Sequence, residues 1–280
     1  MILVDYSQIA LANIIISKMQ DEDLIRHMIL NSLRMYNKKY RDEYGEMVIC
    51  ADGFNTWRKE YYPQYKASRK KNRTASSMDW NEIFRVLNMV REEIKENLPY
   101  KVIHMDGCEA DDIIGALVYE TQEFGKHQPC MIISSDKDFK QLHKFNNVRQ
   151  FSPAQKKLVE EKHPRQYAFE HICRGDVGDG VPNVLSPDNC FTDGLKQTPL
   201  RKTLIDFWVD NLDNMPEETK RNYQRNKTLI DLSEIPTHIY NSIIQEYDSQ
   251  IPAMRMKVLN YLIKKRCRNL IEVVEEFYNG

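Results

Sequence analysis

Between Cys108 and Leu142 the chain reads EADDIIGAL and, after one hydrophobic run, SSDKDF, so five carboxylates fall at two neighbouring chain turns. Carboxylates gathered in one crevice repel one another unless they are protonated or neutralised by a cation. Hard oxygen donors of this kind suit Mg²⁺ or Mn²⁺. Taken alone, EADD is an ordinary helix start, where acids cap amides and complement the helix dipole. DxD after a strand is equally at home in phosphatases, glycosyltransferases and plain turns. The sum carries the argument for a metal site. Glu109, Asp111 and Asp112 open an apolar-periodic helix (Ile113, Ile114, Ala116, Leu117), and Asp136 and Asp138 follow a strand from Met131 to Ser135. In an open α/β sheet both groups lie at the carboxyl ends of strands, where such folds place their ligand crevices.

Four apolar runs must supply those strand ends: Ile2 to Val4, Met47 to Ala51, Lys101 to Met105 and Cys130 to Ser135. They alternate with helical patterns, among them Asp23 to Tyr40 and Asp79 to Leu98, the second closed by Pro99. The economical fold is α/β, a mostly parallel central sheet flanked by helices. An acid follows every run; Asp5 and Asp52 close the first two. A fifth strand is expected at Asn147 to Phe151. From Pro164 the pattern is wholly helical, with helices expected at Leu200 to Asn211, Glu217 to Asn226, Pro236 to Tyr247 and Ala253 to Tyr278. The glycine-rich turn CRGDVGDGVPNVLSPDN is either a helix connection or a second acidic edge. In the latter case Asp176 and Asp179 lean back to the crevice and backbone amides meet a phosphate. Residues 1–160 are thus read as an α/β core and 161–280 as a helical region.

With 41% apolar and 29% charged residues in 280, the chain has a globular composition. No stretch reaches the roughly 18 apolar residues of a membrane span, and MILVDYSQ lacks a basic region before an apolar core, so a cytoplasmic protein with no membrane partner is expected. Six cysteines show no CxxC spacing, which argues against a zinc or disulfide framework. The seven histidines are scattered, and core or surface placement is expected for each. The net charge of −1 hides a segregation: Arg58 to Arg73 holds seven cations against Glu60 alone, interleaved with Trp57, Tyr61, Tyr62 and Tyr65. Such a run is usually a solvated loop. Its aromatics and its position directly after Asp52 favour nucleic-acid binding, through phosphate neutralisation and base stacking.

LVDYSQIAL, CADGFNTWRKEYYPQYKASR, EADDIIGAL, IISSDKDFKQLHK, QFSP and GDVGDGVPNV stand in that order. The series resembles the flap endonuclease, or 5′-nuclease, family with its PIN-like core, and within it the phage RNase H branch. The resemblance implies that Asp5, Asp52, Glu109, Asp111, Asp136, Asp138, Asp176 and Asp179 hold two Mg²⁺ ions, with Mn²⁺ as a substitute and Asp112 as an outer ligand. It implies a basic arch at about 53–78. There Tyr65 stacks on a base near the scissile phosphate, Lys66 contacts that phosphate, and Arg58 and Arg69 assist. Lys59, Lys70, Lys71, Arg73, Gly178 and Gly180 complete the expected DNA contacts, and the helical region 161–280 takes on a DNA-binding role by the same implication. The implied activity is 5′→3′ exonuclease and flap cleavage, with Asp136, Tyr65 and Lys66 as the catalytic group. RNA primers and adjoining DNA would be removed from DNA and RNA–DNA duplexes bearing 5′ ends, forks or flaps. Cooperation with a single-strand-binding protein and a sliding clamp, as a monomer, belongs to the same implication. One departure stands out. VPNVLSPDNCFTDG lacks the second glycine pattern with which many members grip duplex DNA and a potassium ion.

Three competitors remain. A PIN-type ribonuclease would be shorter and lack the helical tail. A catalytically inactive DNA-binding relative would not need all eight acids. A haloacid-type phosphatase needs DxD directly after the first strand, and Asp5-Tyr6-Ser7 does not provide it.

Overall fold

Three of the strands, ILVD, MVICA and CMII, are short, almost wholly apolar and buried at every position, the composition of strands covered on both faces. In the computed structural model, which describes residues 1–17, 21–69 and 78–279, β1 (Ile2–Asp5), β2 (Met47–Ala51), β3 (Lys101–His104), β4 (Cys130–Ile133), β5 (Val148–Ser152) and β6 (Lys157–Val159) form one sheet. The order is β3-β2-β1-β4-β5-β6, and every pair is parallel except β5 with β6. Register places Ile2 beside Met47 and Met131, and Val4 beside Ile49 and Ile133.

Strand side chains alternate between faces, and the core divides accordingly. Ile2, Val4, Ile49 and Ile133 pack under α1 (Tyr6–Ser17), α2 (Glu22–Tyr44) and α4 (Trp80–Asn97). Leu3, Val48, Cys50 and Ile132 pack under α5 (Ala110–Gln122) and α9 (Thr237–Ser249). Both layers recruit residues from the end of the chain: Ile243 on the second face, and Val258, Leu262 and Phe277 on the first. The hydroxyl of Tyr100 donates to the Phe277 carbonyl at 2.8 Å, which pins that return.

Two expectations are corrected. Ala253 to Tyr278 is not one helix but α10 (Arg255–Lys264), α11 (Arg268–Ile271) and a 3-10 turn, Val274–Phe277. The break falls at Arg266, whose φ of +54° is incompatible with a continuing helix and has no glycine or proline to announce it. The β6 strand was not expected; it pairs antiparallel with β5, Phe151 opposite Leu158. Further α-helices are α3 (Trp57–Tyr61), α6 (Pro164–Arg174), α7 (Lys202–Val209) and α8 (Glu217–Ile230).

The strand order decides where chemistry can sit. The chain lays β1, β2 and β3 outward in one direction, then returns to place β4 on the other side of β1. Helices diverge to opposite faces at that point, which opens a crevice beyond the carboxyl ends of β1 and β4.

Candidate metal centre

Asp5 ends β1 and is held on both oxygens: Gln8 N donates to Oδ1 at 3.1 Å and Ser134 Oγ to Oδ2 at 2.9 Å. Asp52 follows β2 and accepts from Ala110 N and Ser7 Oγ, both at 2.9 Å, which ties together the starts of α5 and α1. The turn after Asp52 must be glycine, since a Cβ on Gly53 would lie 1.6 Å from the Met105 carbonyl oxygen. Asp136 caps the 3-10 turn Lys137–Lys144, its Oδ1 accepting from Asp138 N at 2.9 Å. With Asp111 on the first turn of α5, these acids line a cleft of about 360 Å³ that also receives Lys66 and Arg69.

Burial and mutual repulsion leave their mark on the acids. Desolvation, then the charge of Asp52, pushes the Asp5 carboxyl up to about 7. Desolvation, then Asp138, pushes Asp136 up to about 6. Asp111 is raised well above the usual carboxylate range by burial and by Asp136. A multivalent cation would relieve this crowding, and the donors are all hard oxygens, so the residues present fit a divalent ion of the magnesium class.

A stability consequence has a definite sign. Between the unfolded carboxylate value near 4 and the folded values of about 6 and 7, the folded protein holds protons that the unfolded chain has released. Glu109 and Asp176 are shifted the other way, so their stabilising contribution is already complete above the unfolded value. The melting temperature of the metal-free protein is therefore expected to fall as pH rises from 5 to 8 in EDTA, and Mg²⁺ is expected to raise it most at pH 8. His104 and His143, both lowered by burial, act in the opposite sense, so the comparison is with Asp136→Asn: a profile in EDTA identical in wild type and variant would show that these acids ionise without opposition.

A second group lies alongside. Asp138, His171 and Asp176 present ligand atoms within 4.8 Å of one another. His171 Nε2 is 2.8 Å from Asp138 Oδ1 and 3.8 Å from Asp176 Oδ2. Sequence reasoning missed His171. It lies five residues before Asp176 and across the Gly175 turn, so no helical spacing links it to a partner. Gly175, at φ +69°, allows that turn; a Cβ there would lie 2.4 Å from the Val181 carbonyl oxygen. Burial raises Asp176, but the Lys137 ammonium at 2.8 Å outweighs it and holds the carboxyl below its usual range.

The segment after Asp52 folds across this edge. Lys66 takes a left-handed backbone, φ +56°, with its N–H donating to the Asp179 carbonyl at 2.7 Å. Its ammonium then sits 2.6 Å from Glu109 Oε1 and 3.7 Å from Asp179 Oδ2. The Tyr65 hydroxyl bridges Glu109 (2.9 Å) and Asp179 (3.1 Å), and Arg69 Nη2 reaches Asp179 Oδ1 at 2.5 Å. Burial tends to raise Glu109, but Lys66 and Arg58 outweigh it and hold the carboxyl low. Asp179 stays raised by burial despite Lys66 and Arg69.

Three residues stand apart from their expected positions. Tyr65 is 3% exposed, its ring with no face open to stack on a base. Arg58 is 3% exposed, donating from Nη1 to Asp112 Oδ2 (2.9 Å) and Glu109 Oε2 (3.2 Å) and from Nε to the Leu229 carbonyl (2.9 Å). It is an internal strut with no face towards a phosphate. Asp112, fully buried, turns away from the cleft: its Oδ2 accepts from Arg58, from Trp57 Nε1 and from Glu109 N. The capping alternative for EADD thus holds for Asp112, while Asp111 faces the cleft. Lys59 and Gly178 are exposed; Gly180 is buried, and a Cβ on it would lie 3.0 Å from the Gln64 carbonyl oxygen. Lys70, Lys71 and Arg73 lie outside the described residues.

Comparison with known proteins places this geometry. Residues 6–169 match the 5′-3′ exonuclease N-terminal resolvase-like domain, and residues 166–277 match the T4 RNase H C-terminal domain. The chain belongs to the 5′-3′ exonuclease family, in its RNase H branch. It is 35% identical to the ribonuclease H of Enterobacteria phage T4 over 295 residues, covering 98% of this chain and 95% of the relative. A 5′-3′ exonuclease of Buchnera aphidicola is 28% identical over 158 residues, 52% of this chain and 50% of that protein. Among solved structures, the fold is shared with a T5 5′-exonuclease bound to zinc (15% identity, TM-score 0.62, 89% of this chain and 98% of that one). It is shared too with a bacteriophage T5 flap endonuclease complexed with DNA and metal ions (17% identity, TM-score 0.61, 98% of each chain). Among the described residues, no helix is long and apolar enough to cross a membrane.

Proposed function

We propose that this chain is a divalent-metal-dependent 5′→3′ exonuclease and flap endonuclease that removes RNA primers and adjoining DNA from the 5′ end of a strand on a duplex. The observation that carries the reading is the cleft of Asp5, Asp52, Asp111 and Asp136, crowded enough to raise the pKa values of Asp5, Asp111 and Asp136 and edged by Lys66 and Arg69. Family membership over nearly the whole chain supports it.

Asp5, Asp52, Glu109, Asp111 and Asp136 would hold one Mg²⁺ next to the scissile phosphate, and Asp138, Asp176 and Asp179 a second, with His171 adjoining the latter. Ions so bound supply a water of lowered pKa and neutralise charge on the phosphate and the leaving 3′ oxygen. The chain's own residues orient the reaction. Ser7 and the Ala110 amide fix the rotamer of Asp52, and Ser134 fixes that of Asp5. Lys66 places a buried ammonium at the cleft wall, where it favours a phosphate that gains charge. Arg69, with its side chain 46% exposed, guides the strand inward. The helical region 161–280 would carry the flanking duplex. The protein would act as a monomer, in cooperation with a single-strand-binding protein and a sliding clamp.

The test is cleavage of a 5′-labelled flap, a nicked duplex and an RNA–DNA hybrid, each with Mg²⁺ and with EDTA. Short products from the 5′ end of the flap and the hybrid, abolished by EDTA, are expected. Intact flap binding without cleavage would instead assign the chain to DNA binding alone.

A further inference from the structure

The acids of the first cleft, Asp5, Asp52, Asp111 and Asp136, offer oxygen alone, whereas the group alongside mixes donors: Asp138 and Asp176 share their edge with the imidazole of His171. Resting on the two-ion reading above, we propose that His171 Nε2 is a direct ligand of the second ion, beside Asp138 and Asp176, and that this nitrogen makes the second position select Mn²⁺ over Mg²⁺.

The imidazole is placed before any ion arrives. His171 stands on the last turn of α6, which packs against the 3-10 turn that carries Asp138. Its side chain is 9% exposed, so it is not a histidine that faces solvent. One helical turn earlier on α6, the Tyr167 ring lies 5.9 Å from the imidazole with the planes at 33°, and Lys140 Nζ covers Tyr167 at 4.7 Å from its centroid. The ring so held directs Nε2 at the acids, 2.8 Å from Asp138 Oδ1 and 3.8 Å from Asp176 Oδ2.

Those separations suit a shared ion. With bonds of about 2.1 Å, ligands at right angles lie about 3 Å apart and opposite ligands about 4.2 Å apart. Without an ion, Nε2 and Asp138 Oδ1 share a hydrogen bond, and Lys137 Nζ, at 2.8 Å, supplies the positive charge beside Asp176 Oδ2. The Lys137 side chain is 50% exposed and can withdraw into solvent. Ligation moves the Nε2 proton to Nδ1, and the nitrogen lone pair then faces the ion. Selectivity follows from the donor. Mg²⁺ parts reluctantly with its waters and takes carboxylate oxygens, whereas imidazole is a good ligand for first-row transition ions, whose affinities rise from Mn²⁺ onward. Mn²⁺ accepts the carboxylates as well, so the nitrogen adds more to its affinity than to that of Mg²⁺.

The experiment uses the full chain without a histidine tag, labelled with ¹⁵N in histidine only, in excess Mg²⁺ with substoichiometric Mn²⁺ and no DNA. Electron–nuclear double resonance on the bound Mn²⁺ is expected to show the coupling of a directly bonded ¹⁵N in wild type and none in His171→Gln. The glutamine carboxamide can still donate to Asp138 or offer an oxygen, so the variant removes the nitrogen ligand and keeps the polar contact. The Mg²⁺ concentration that displaces half of the Mn²⁺, read from the returning free-ion signal, is expected to fall about tenfold in the variant. Bound Mn²⁺ with no ¹⁵N coupling in wild type would overturn the inference whether or not the variant folds, because a histidine that only holds Asp138 by a hydrogen bond gives no such coupling. An unchanged displacement concentration in a folded His171→Gln would overturn the selectivity. Failure of wild type to bind Mn²⁺ would remove the metal centre and this inference with it. Failure to cut any flap substrate would count against the nuclease reading alone, since the spectrum is read without DNA.

Discussion

Asp136→Asn is expected to abolish Mg²⁺-dependent cleavage and, in EDTA, to raise the melting temperature. The two effects have one cause. Asp136 is pushed up to about 6 by burial and by Asp138, and it in turn raises Asp111 and Asp5. Asparagine keeps the Oδ1 that accepts from Asp138 N, so the cap survives while the repulsion goes. A ligand oxygen with full charge is lost as well. If metal-borne charge stabilisation is worth several kcal/mol, the rate falls by roughly 10² to 10³ or more. Flap affinity should be preserved, since the cationic residues are untouched. Single-turnover cleavage, a binding titration in Ca²⁺ and melting curves in EDTA check all three. Retained Mg²⁺-dependent activity would remove Asp136 from the site, and an unchanged melting temperature would mean that the crowding stores no strain.

Arg58→Ala is expected to act on the fold. Its guanidinium is the buried counter-charge of Asp112 and Glu109 and ties α3 to the end of α8 through the Leu229 carbonyl. Removing one partner of such a pair leaves uncompensated buried charge and costs about 3–5 kcal/mol, which for a chain of this length lowers the melting temperature by roughly 10 °C. Metal affinity should weaken too, as Glu109 loses one of the groups that orient it. Below the melting transition, affinity for a duplex in Ca²⁺ should change little. A large loss of DNA affinity with an unchanged melting temperature would return Arg58 to the role that its place in a basic run implied.

Arg58 and Arg69 show where sequence reading stops. Both lie in the same cationic, aromatic stretch, yet one is sealed against Asp112 and the other, half exposed, meets Asp179. Nothing within a few residues of either distinguishes them, because the partners lie about 50 and 110 residues away. His171 is another case: its ligand-like neighbours come from the 3-10 turn after β4 and from beyond Gly175. Asp111 and Asp112 adjoin in sequence, but successive helical residues point about 100° apart, so one faces the cleft and the other the interior.

By itself the sequence determined the mostly parallel α/β sheet, the acid after each of its first four strands and the cationic segment after Asp52. Strand alternation, helix periodicity and turn chemistry are local properties written over a few residues. Only the tertiary structure decided which charges meet. The return of β4 to the far side of β1 brings Asp136 beside Asp5, and the segment 53–69 crosses the edge to set Lys66 against Glu109 and Asp179. Each of these is a long-range juxtaposition, set by packing the whole sheet between two apolar layers, and no local pattern encodes it.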